Sequence, residues 1–235
     1  MTDIGKHGVP KPVRKHVSPS WLAAIPVVAT ATAVLLLLQS AAGAAVAPVG
    51  LGTAGSFAVL AGTTVTNTGP SVINGDLGVS PGTAITGFPP GTVNGAVHSA
   101  DAVAVVAQSD LTTAYNDAAG RSPSGSVPGR IGDGQTLLPG VYNATSISLE
   151  VHGALTLNAQ GNPDAVFIFQ VGSTLVTDST SDVILTNGAQ ACNVFWQVGS
   201  SATLGTFSAF QGSILALTSI TVTTGDTVQI GRAHV

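Results

Sequence analysis

Few residues of this chain have the types and spacing that catalysis requires. Asp178 and Asp182 lie four positions apart, and a hydrolase or lyase could use such a pair of carboxylates for general acid and base chemistry. That chemistry also needs a cation to stabilise developing charge, and Lys is absent after residue 15. The surrounding sequence TDSTSDV is typical of a solvated turn. We therefore predict no catalytic residues and no enzymatic activity.

Residues that bind metals show no recognisable ligand spacing. His98 and His152 are distant in sequence from the one cysteine, Cys192, so the Cys and His spacing of structural zinc sites is absent. The segments GNPDA and NGDLG are turn signals and lack the dense Gly and Asp repeat of calcium-binding β-rolls. The sequence predicts no metal site and no cofactor.

The elements that would position any site are short strands. Runs such as FAVLAG, ALTLNA, DVILTN and TSITVTT alternate apolar and small polar residues, the pattern of half-buried strands. Most of these runs are followed by Gly, Asn, Asp or Pro, which favour turns. The chain is therefore predicted to be dominated by β-structure.

Two of the strand patterns recur along the chain. FIFQVGSTLV (167–176) returns as VFWQVGSSATL (194–204), with Gly199 placed 27 positions after Gly172. SSATLGT (200–206) returns as TSITVTT (218–224) after 18 positions. Unequal steps of this size fit the coils of a β-helix, in which a corner tolerates insertions. We expect Val171 and Val198 to line the core and the two Gly to form a corner.

One segment departs from this pattern. Residues from about 99 to 119 are predicted to form a helix, with Ser99 as the N-cap and Gly120 as the stop signal. The apolar residues at helical spacing are Val103, Ala107, Leu111, Ala114 and Ala118.

The first 44 residues have the layout of a secretory signal. A basic leader precedes the apolar stretch 21–38, and Ala42, Gly43 and Ala44 form a small-residue cleavage site. The alternative is an uncleaved membrane anchor, because 18 apolar residues approach the length of a membrane span. We expect a mature chain that begins near Ala45 and is secreted or attached to the cell surface.

The charge of that mature chain limits its partners. Residues 45–235 contain three Arg, no Lys and ten acidic residues, a formal charge of −7. An acidic surface disfavours nucleic acid and, after signal cleavage, membranes as partners.

Several motifs together resemble one known family. They are AGSFAVLAGTTVTNTGPSVINGDLGVSPGTAITG, AYNDAAGR, LLPGVY, AVFIFQVGSTL and NVFWQVGSSATLGT. From Leu51 to about Thr227 the chain resembles the bacterial and fungal ice-binding proteins of the DUF3494 type. The resemblance implies a discontinuous, triangular, right-handed β-helix over residues 45–229 with one long α-helix alongside. It also implies that the partners are the surface of ice crystals and ordered water. The sequence does not determine the oligomeric state, and we expect a monomer.

The resemblance also implies which residues would contact ice. Family members often carry Thr-x-Thr or Thr-x-x-Thr motifs on one flat face, and strand spacing would set such residues on a regular grid. Threonine suits this role because its stiff χ1 fixes both hydroxyl and methyl group. The candidate residues are Thr64, Thr66, Asn67, Thr203, Thr206, Ser219, Thr221 and Thr223.

The flat face also permits a second function. The same flat face could instead bind a polymer or cell surface, which would make the chain a structural or adhesive module.

The last six residues, 230–235, lack strand alternation and can be encoded by a common sequencing-adapter sequence. We expect them to be a non-native tail, the C-terminal coil to be missing, and the edges of the last strands to be unpaired.

Overall fold

The computed structural model describes residues 46–229, together with Gly8 alone. The predicted signal segment and the predicted C-terminal tail lie outside these residues. Twenty-two strands fill most of the described chain. They are β1 (Phe57–Ala61), β2 (Thr64–Asn67), β3 (Val72–Asn74), β4 (Asp76–Val79), β5 (Ala84–Thr86), β6 (Thr92–Val93), β7 (Val97–Ser99), β8 (Gly125–Val127), β9 (Arg130–Gly132), β10 (Gln135–Leu137), β11 (Gly140–Ala144), β12 (Ser148–His152), β13 (Ala154–Asn158), β14 (Phe167–Val171), β15 (Thr174–Thr177), β16 (Asp182–Thr186), β17 (Val194–Val198), β18 (Ser201–Leu204), β19 (Ala209–Gln211), β20 (Ser213–Ala216), β21 (Ser219–Val222) and β22 (Thr227–Gln229).

The strands form a β-helix with three faces, because each coil contributes one parallel strand to each face in turn. The Thr face is the outer side of the sheet β5-β2-β21-β18-β15-β12-β9. The amide face is the outer side of the sheet β10-β13-β16-β19-β22-β3-β6. The third, called the helix-side face, combines the sheets β1-β4-β7 and β20-β17-β14-β11-β8.

The order of the coils is discontinuous, as the family resemblance implied. The N-terminal strands β2 and β3 pair with β21 and β22 from the C-terminal part of the described chain. Both β21 and β22 are therefore paired on two sides, and the expectation that their edges would be unpaired is wrong. The N-terminal coil covers these edges, which local sequence patterns do not reveal.

A single α-helix among the described residues, α1 (Ala102–Gly120), connects the two ends of the stack. Seven strands of one face span roughly 29 Å at about 4.8 Å per step, and 19 helical residues rise roughly 28 Å. The helix thus has the length needed to carry the chain back to the far end. Within residues 46–229, no helix combines the length and hydropathy needed to cross a membrane.

Both ends of α1 are held by side chains. The Asp101 carboxylate accepts a hydrogen bond from the Ala104 amide at 2.9 Å, so Asp101 is the N-cap and the prediction of Ser99 is wrong. At the other end, the Gln170 amide donates to the carbonyls of Ala118 and Arg121, each at 2.8 Å. This buried Gln satisfies carbonyls that the helix terminus leaves unpaired.

The apolar side of α1 packs on the helix-side face. Its buried residues are Ala104, Ala107, Leu111, Ala114 and Ala118. Val103, which was predicted to belong to this set, is 48% exposed, because the buried stripe begins at Ala104 and the residue before it points to another side of the helix. The burial stabilises α1 against Ile168, Phe195 and Leu215 of the strands beneath it.

The repeat identified in the sequence marks neighbouring coils. Phe167 pairs with Val194 and Val171 with Val198, which confirms the 27-residue step, and Ser201 pairs with Ser219, which confirms the 18-residue step. Val171 and Val198 are buried in the core, as predicted. The aromatic rings of Phe169 and Trp196 stack inside the β-helix at a centroid distance of 4.0 Å.

Candidate functional site

Two of the three faces of the β-helix are open to solvent. The helix-side face is covered by α1, whose apolar residues form a shared core with it. The Thr face and the amide face have no such cover within the described residues. A flat surface that contacts a large, ordered partner must therefore lie on one of these two faces.

Outward residues of the Thr face form two straight rows. In the second row, Thr86, Thr66, Thr221 and Thr203 follow each other on β5, β2, β21 and β18. The first row is formed by Ala84, Thr64, Ser219, Ser201, Thr174 and Ser148. Strand spacing places neighbours in a row about 4.8 Å apart and the two rows roughly 7 Å apart. The residues between the rows point inward and are buried, for example Val65 and Ile220.

The two rows differ in how their hydroxyl groups are engaged. In the first row, the Ser219 hydroxyl donates to Ser201 at 3.0 Å, and the hydroxyls of Ser148 and Thr174 share a hydrogen bond of 2.6 Å. In the second row, the four Thr hydroxyls make no hydrogen bond to another described residue. Their donor and acceptor groups are therefore free to bind water.

The structure brings five of the eight candidate residues together on the Thr face. They are Thr64, Thr66, Thr203, Ser219 and Thr221. The placement of Asn67 is wrong, because the side chain points inward, is only 4% exposed and donates to the carbonyls of Gly69 and Gly87. Its position directly after Thr66 puts it on the opposite side of the strand.

Thr206 and Thr223 lie in the corners that follow β18 and β21, outside the flat sheet. The Thr206 hydroxyl shares a hydrogen bond of 2.8 Å with Ser179, and the Thr223 hydroxyl is 3.3 Å from the Asp226 carboxylate. Asp226 is 1% exposed, and its burial raises the pKa of the carboxyl group while hydrogen bonds from Ser208 and Thr223 oppose the rise. These two Thr serve corner structure.

Four further residues belong to the rows and escaped the sequence analysis. Thr86, Ser201, Thr174 and Ser148 occupy outward positions on the Thr face. The alternation in TAITG and in STLVT carries the necessary signal. Assignment to this face, however, depends on the stacking order of β5 and β15, which the discontinuous topology determines.

One end of the Thr face is charged. Beyond Thr203 the second row continues with Val176, Glu150 and Arg130. His152 lies next to this end and contacts the Asp178 carboxylate through Nδ1. The hydrogen bond with His152 holds the pKa of Asp178 below its usual value. The uncharged part of the second row therefore ends within the Thr face, whereas the first row stays uncharged as far as Ser148 on β12.

The amide face has a different chemistry. Gln211, Gln229 and Asn74 lie on adjacent strands, and Ile184 on the same face is 41% exposed. Long amide side chains have several rotatable bonds and hold their polar atoms less rigidly than Thr does. The Thr face is therefore the better candidate for contact with an ordered lattice.

Sequence comparison agrees with this geometry. The family model described as ice-binding-like matches residues 59–235. The chain belongs to the ice-binding-like family. The resemblance seen in the sequence is thereby confirmed, together with the β-helix fold that it implied.

Relatives of this ice-binding-like chain include proteins of Nostoc and of Colwellia. An ice-binding protein of Nostoc sp. (strain HG1) is 56% identical over 183 residues, which cover 78% of this chain and 67% of that protein. An ice-binding protein of Colwellia sp. is 38% identical over 194 residues, covering 76% and 75% of the two chains.

Solved structures of ice-binding proteins share the fold. The protein from an Antarctic biological consortium superposes with a TM-score of 0.73 at 44% identity, and the match covers 81% of this chain and 94% of that protein. The protein of the Antarctic ascomycete Antarctomyces psychrotrophicus has a TM-score of 0.71 at 38% identity, covering 79% and 100%.

Proposed function

We propose that this protein is secreted and adsorbs to ice through the Thr face, and that adsorption limits ice growth and recrystallisation. The observation that carries the proposal is the row of Thr86, Thr66, Thr221 and Thr203 on four consecutive strands. The names of the relatives and of the structural neighbours as ice-binding proteins support it.

The physical basis is an array of weak contacts on a rigid scaffold. Ordering one water molecule costs up to about 2 kcal/mol, so a single hydroxyl contributes little net affinity. A sheet that holds several Thr in fixed positions has already lost their conformational freedom on folding, which reduces the cost of binding. The methyl groups between the hydroxyls limit competing, disordered hydration.

A bulky substitution in the second row tests the proposal. Thr221→Tyr places a ring in the centre of the row, and we expect it to abolish ice-recrystallisation inhibition, because the ring prevents the neighbouring hydroxyls from contacting the ordered lattice together. Thr156→Tyr is the matched control, because Thr156 points outward on β13 of the amide face, between Thr136 and Ile184. Circular dichroism would verify that both variants keep the fold.

The outcomes separate the candidate surfaces and the candidate functions. Loss of activity in Thr156→Tyr alone would assign ice adsorption to the amide face. An unsubstituted protein that neither partitions into growing ice nor inhibits recrystallisation would contradict ice binding. That result would favour the structural or adhesive module, for which binding to cell-wall polysaccharide would be measured.

A further inference from the structure

The charged end of the Thr face contains a cluster of nitrogen and oxygen ligands that ice adsorption does not use. Glu150 and His152 are two positions apart on β12, so their side chains leave the same side of the strand. Val151 pairs with Thr177 of β15, and Asp178 follows directly beside His152. One ligand atom from each of Glu150, His152 and Asp178 lies within 4.8 Å of the others.

We propose that Glu150, His152 and Asp178 form a binding site for a divalent transition-metal ion of the Zn²⁺ type. One imidazole nitrogen and two carboxylate oxygens suit such an ion, with water in the remaining position. Zinc ligands at about 2.1 Å from the ion are roughly 3.4 Å apart in a tetrahedron. All three residues are half-buried, so small side-chain rotations bring the ligand atoms to this separation.

A fourth residue orients the imidazole. His152 contacts Asp178 through Nδ1, and its Nε2 lies 3.4 Å from the Asp133 carboxylate. An ion bound at Nδ1 replaces the contact with Asp178, and the Nε2 proton is then directed to Asp133. Carboxylates in this outer position fix the tautomer of a histidine ligand and raise its basicity. Asp133 therefore orients the His152 ligand for metal binding.

The local charge also favours a cation. Asp133, Glu150 and Asp178 contribute three negative charges, and Arg130 is the one permanent cation among the side chains paired with them in the described structure. Its guanidinium nitrogens lie 3.8 Å from the Glu150 and Asp178 carboxylates, and its side chain is 49% exposed. Arg130 thus occupies part of the site loosely and competes with a metal ion.

Calorimetric titration of the full chain with ZnCl2 tests the site. We expect His152→Ala to weaken Zn²⁺ binding at least about tenfold and Glu150→Gln to weaken it as well. Arg130→Gln should strengthen binding, because the competing cation is removed. His98→Ala is the matched control and should leave affinity unchanged, since His98 contacts the Asp101 carboxylate at 2.7 Å but belongs to no group of three potential ligands among the described residues.

The comparison among variants makes the result specific. His7, His16 and His234 are present in all of them, so any binding there is common to every titration. Equal Zn²⁺ affinity in the unsubstituted chain, His152→Ala and Glu150→Gln would overturn the proposal. So would tighter binding of Ca²⁺ than of Zn²⁺, because Ca²⁺ selects oxygen ligands. The titration contains no ice and is independent of the proposed ice adsorption.

Discussion

Thr203 and Thr221 lie side by side on the neighbouring strands β18 and β21, in the middle of the second row of the Thr face. Neither hydroxyl makes a hydrogen bond to another described residue, and both are anchored on strands whose inward residues are buried. Two rigid, unsatisfied hydroxyls at strand spacing are the smallest unit of the proposed ice-binding surface. Substitutions in this row measure what its hydroxyl groups contribute to ice binding.

The first prediction separates hydroxyl from methyl groups. Thr221→Val removes the hydroxyl and keeps the shape, and we expect it to lower thermal hysteresis at least about twofold, since ordered water loses a partner. Ser219→Ala should have a smaller effect, because the Ser219 hydroxyl is already bonded to Ser201. Nanolitre osmometry on both variants checks the difference. Equal losses of thermal hysteresis in the two variants would show that a hydrogen bond between hydroxyls of the same row does not affect ice binding.

The second prediction concerns the corner glycines of the repeat. A Cβ at Gly199 would overlap the Gly172 carbonyl group, whereas a Cβ at Gly172 would meet its nearest atoms at 3.7 Å. Gly199→Ala should therefore cost about 1–3 kcal/mol of unfolding free energy through overpacking, and Gly172→Ala less than about 0.5 kcal/mol. Urea denaturation measures both. Similar costs would mean that the coils can separate at this corner.

The third prediction concerns the C-terminal end of α1. Gln170→Leu leaves the carbonyls of Ala118 and Arg121 without the Gln170 donor and should destabilise the protein by about 1–3 kcal/mol. Gln197 occupies the paired position on β17, is also buried, and makes no hydrogen bond to another described residue. Gln197→Leu is therefore expected to be nearly neutral. Thermal unfolding of the two variants provides the comparison.

The fourth prediction is the pH dependence contributed by the helix N-cap. The hydrogen bond from the Ala104 amide, and to a smaller extent the one with His98, lowers the pKa of Asp101 below its ordinary value of 3.8. A lowered folded-state pKa stabilises the protein above about pH 3.8, and this contribution is lost as the pH falls through the folded-state value. Asn caps a helix as well as Asp but does not titrate in this range.

Asp101→Asn should therefore lose less thermal stability between pH 6 and pH 2.5 than the unsubstituted protein does. Asp164→Asn, on an exposed turn, is the control for removing one surface carboxylate. Scanning calorimetry across this range gives the comparison. An identical acid-side slope for Asp101→Asn and the unsubstituted chain would show that the cap carboxylate is not coupled to folding.

The strands, the repeat and the family could be predicted from sequence because each depends on local patterns. Alternation within TSITVTT places Thr221 and Ile220 on opposite sides of a strand, and the shared QVGS motif aligns β14 with β17. The sequence-based predictions were wrong where a shift of one or two positions along the chain changes the role of a residue. Asn67 follows Thr66 and therefore faces inward, and Asp101 replaces Ser99 as the cap because α1 begins at Ala102.

The sequence by itself determined the strands, their inward and outward residues and the family, because side-chain alternation and coil repeats are encoded in neighbouring residues. Only the tertiary structure decided which strands lie next to each other. Pairing of β2 with β21 joins residues about 155 positions apart and continues the Thr row from one end of the chain to the other. The same stacking places Asp178 beside His152. Such contacts arise from burying a shared core across the stack, which no local pattern specifies.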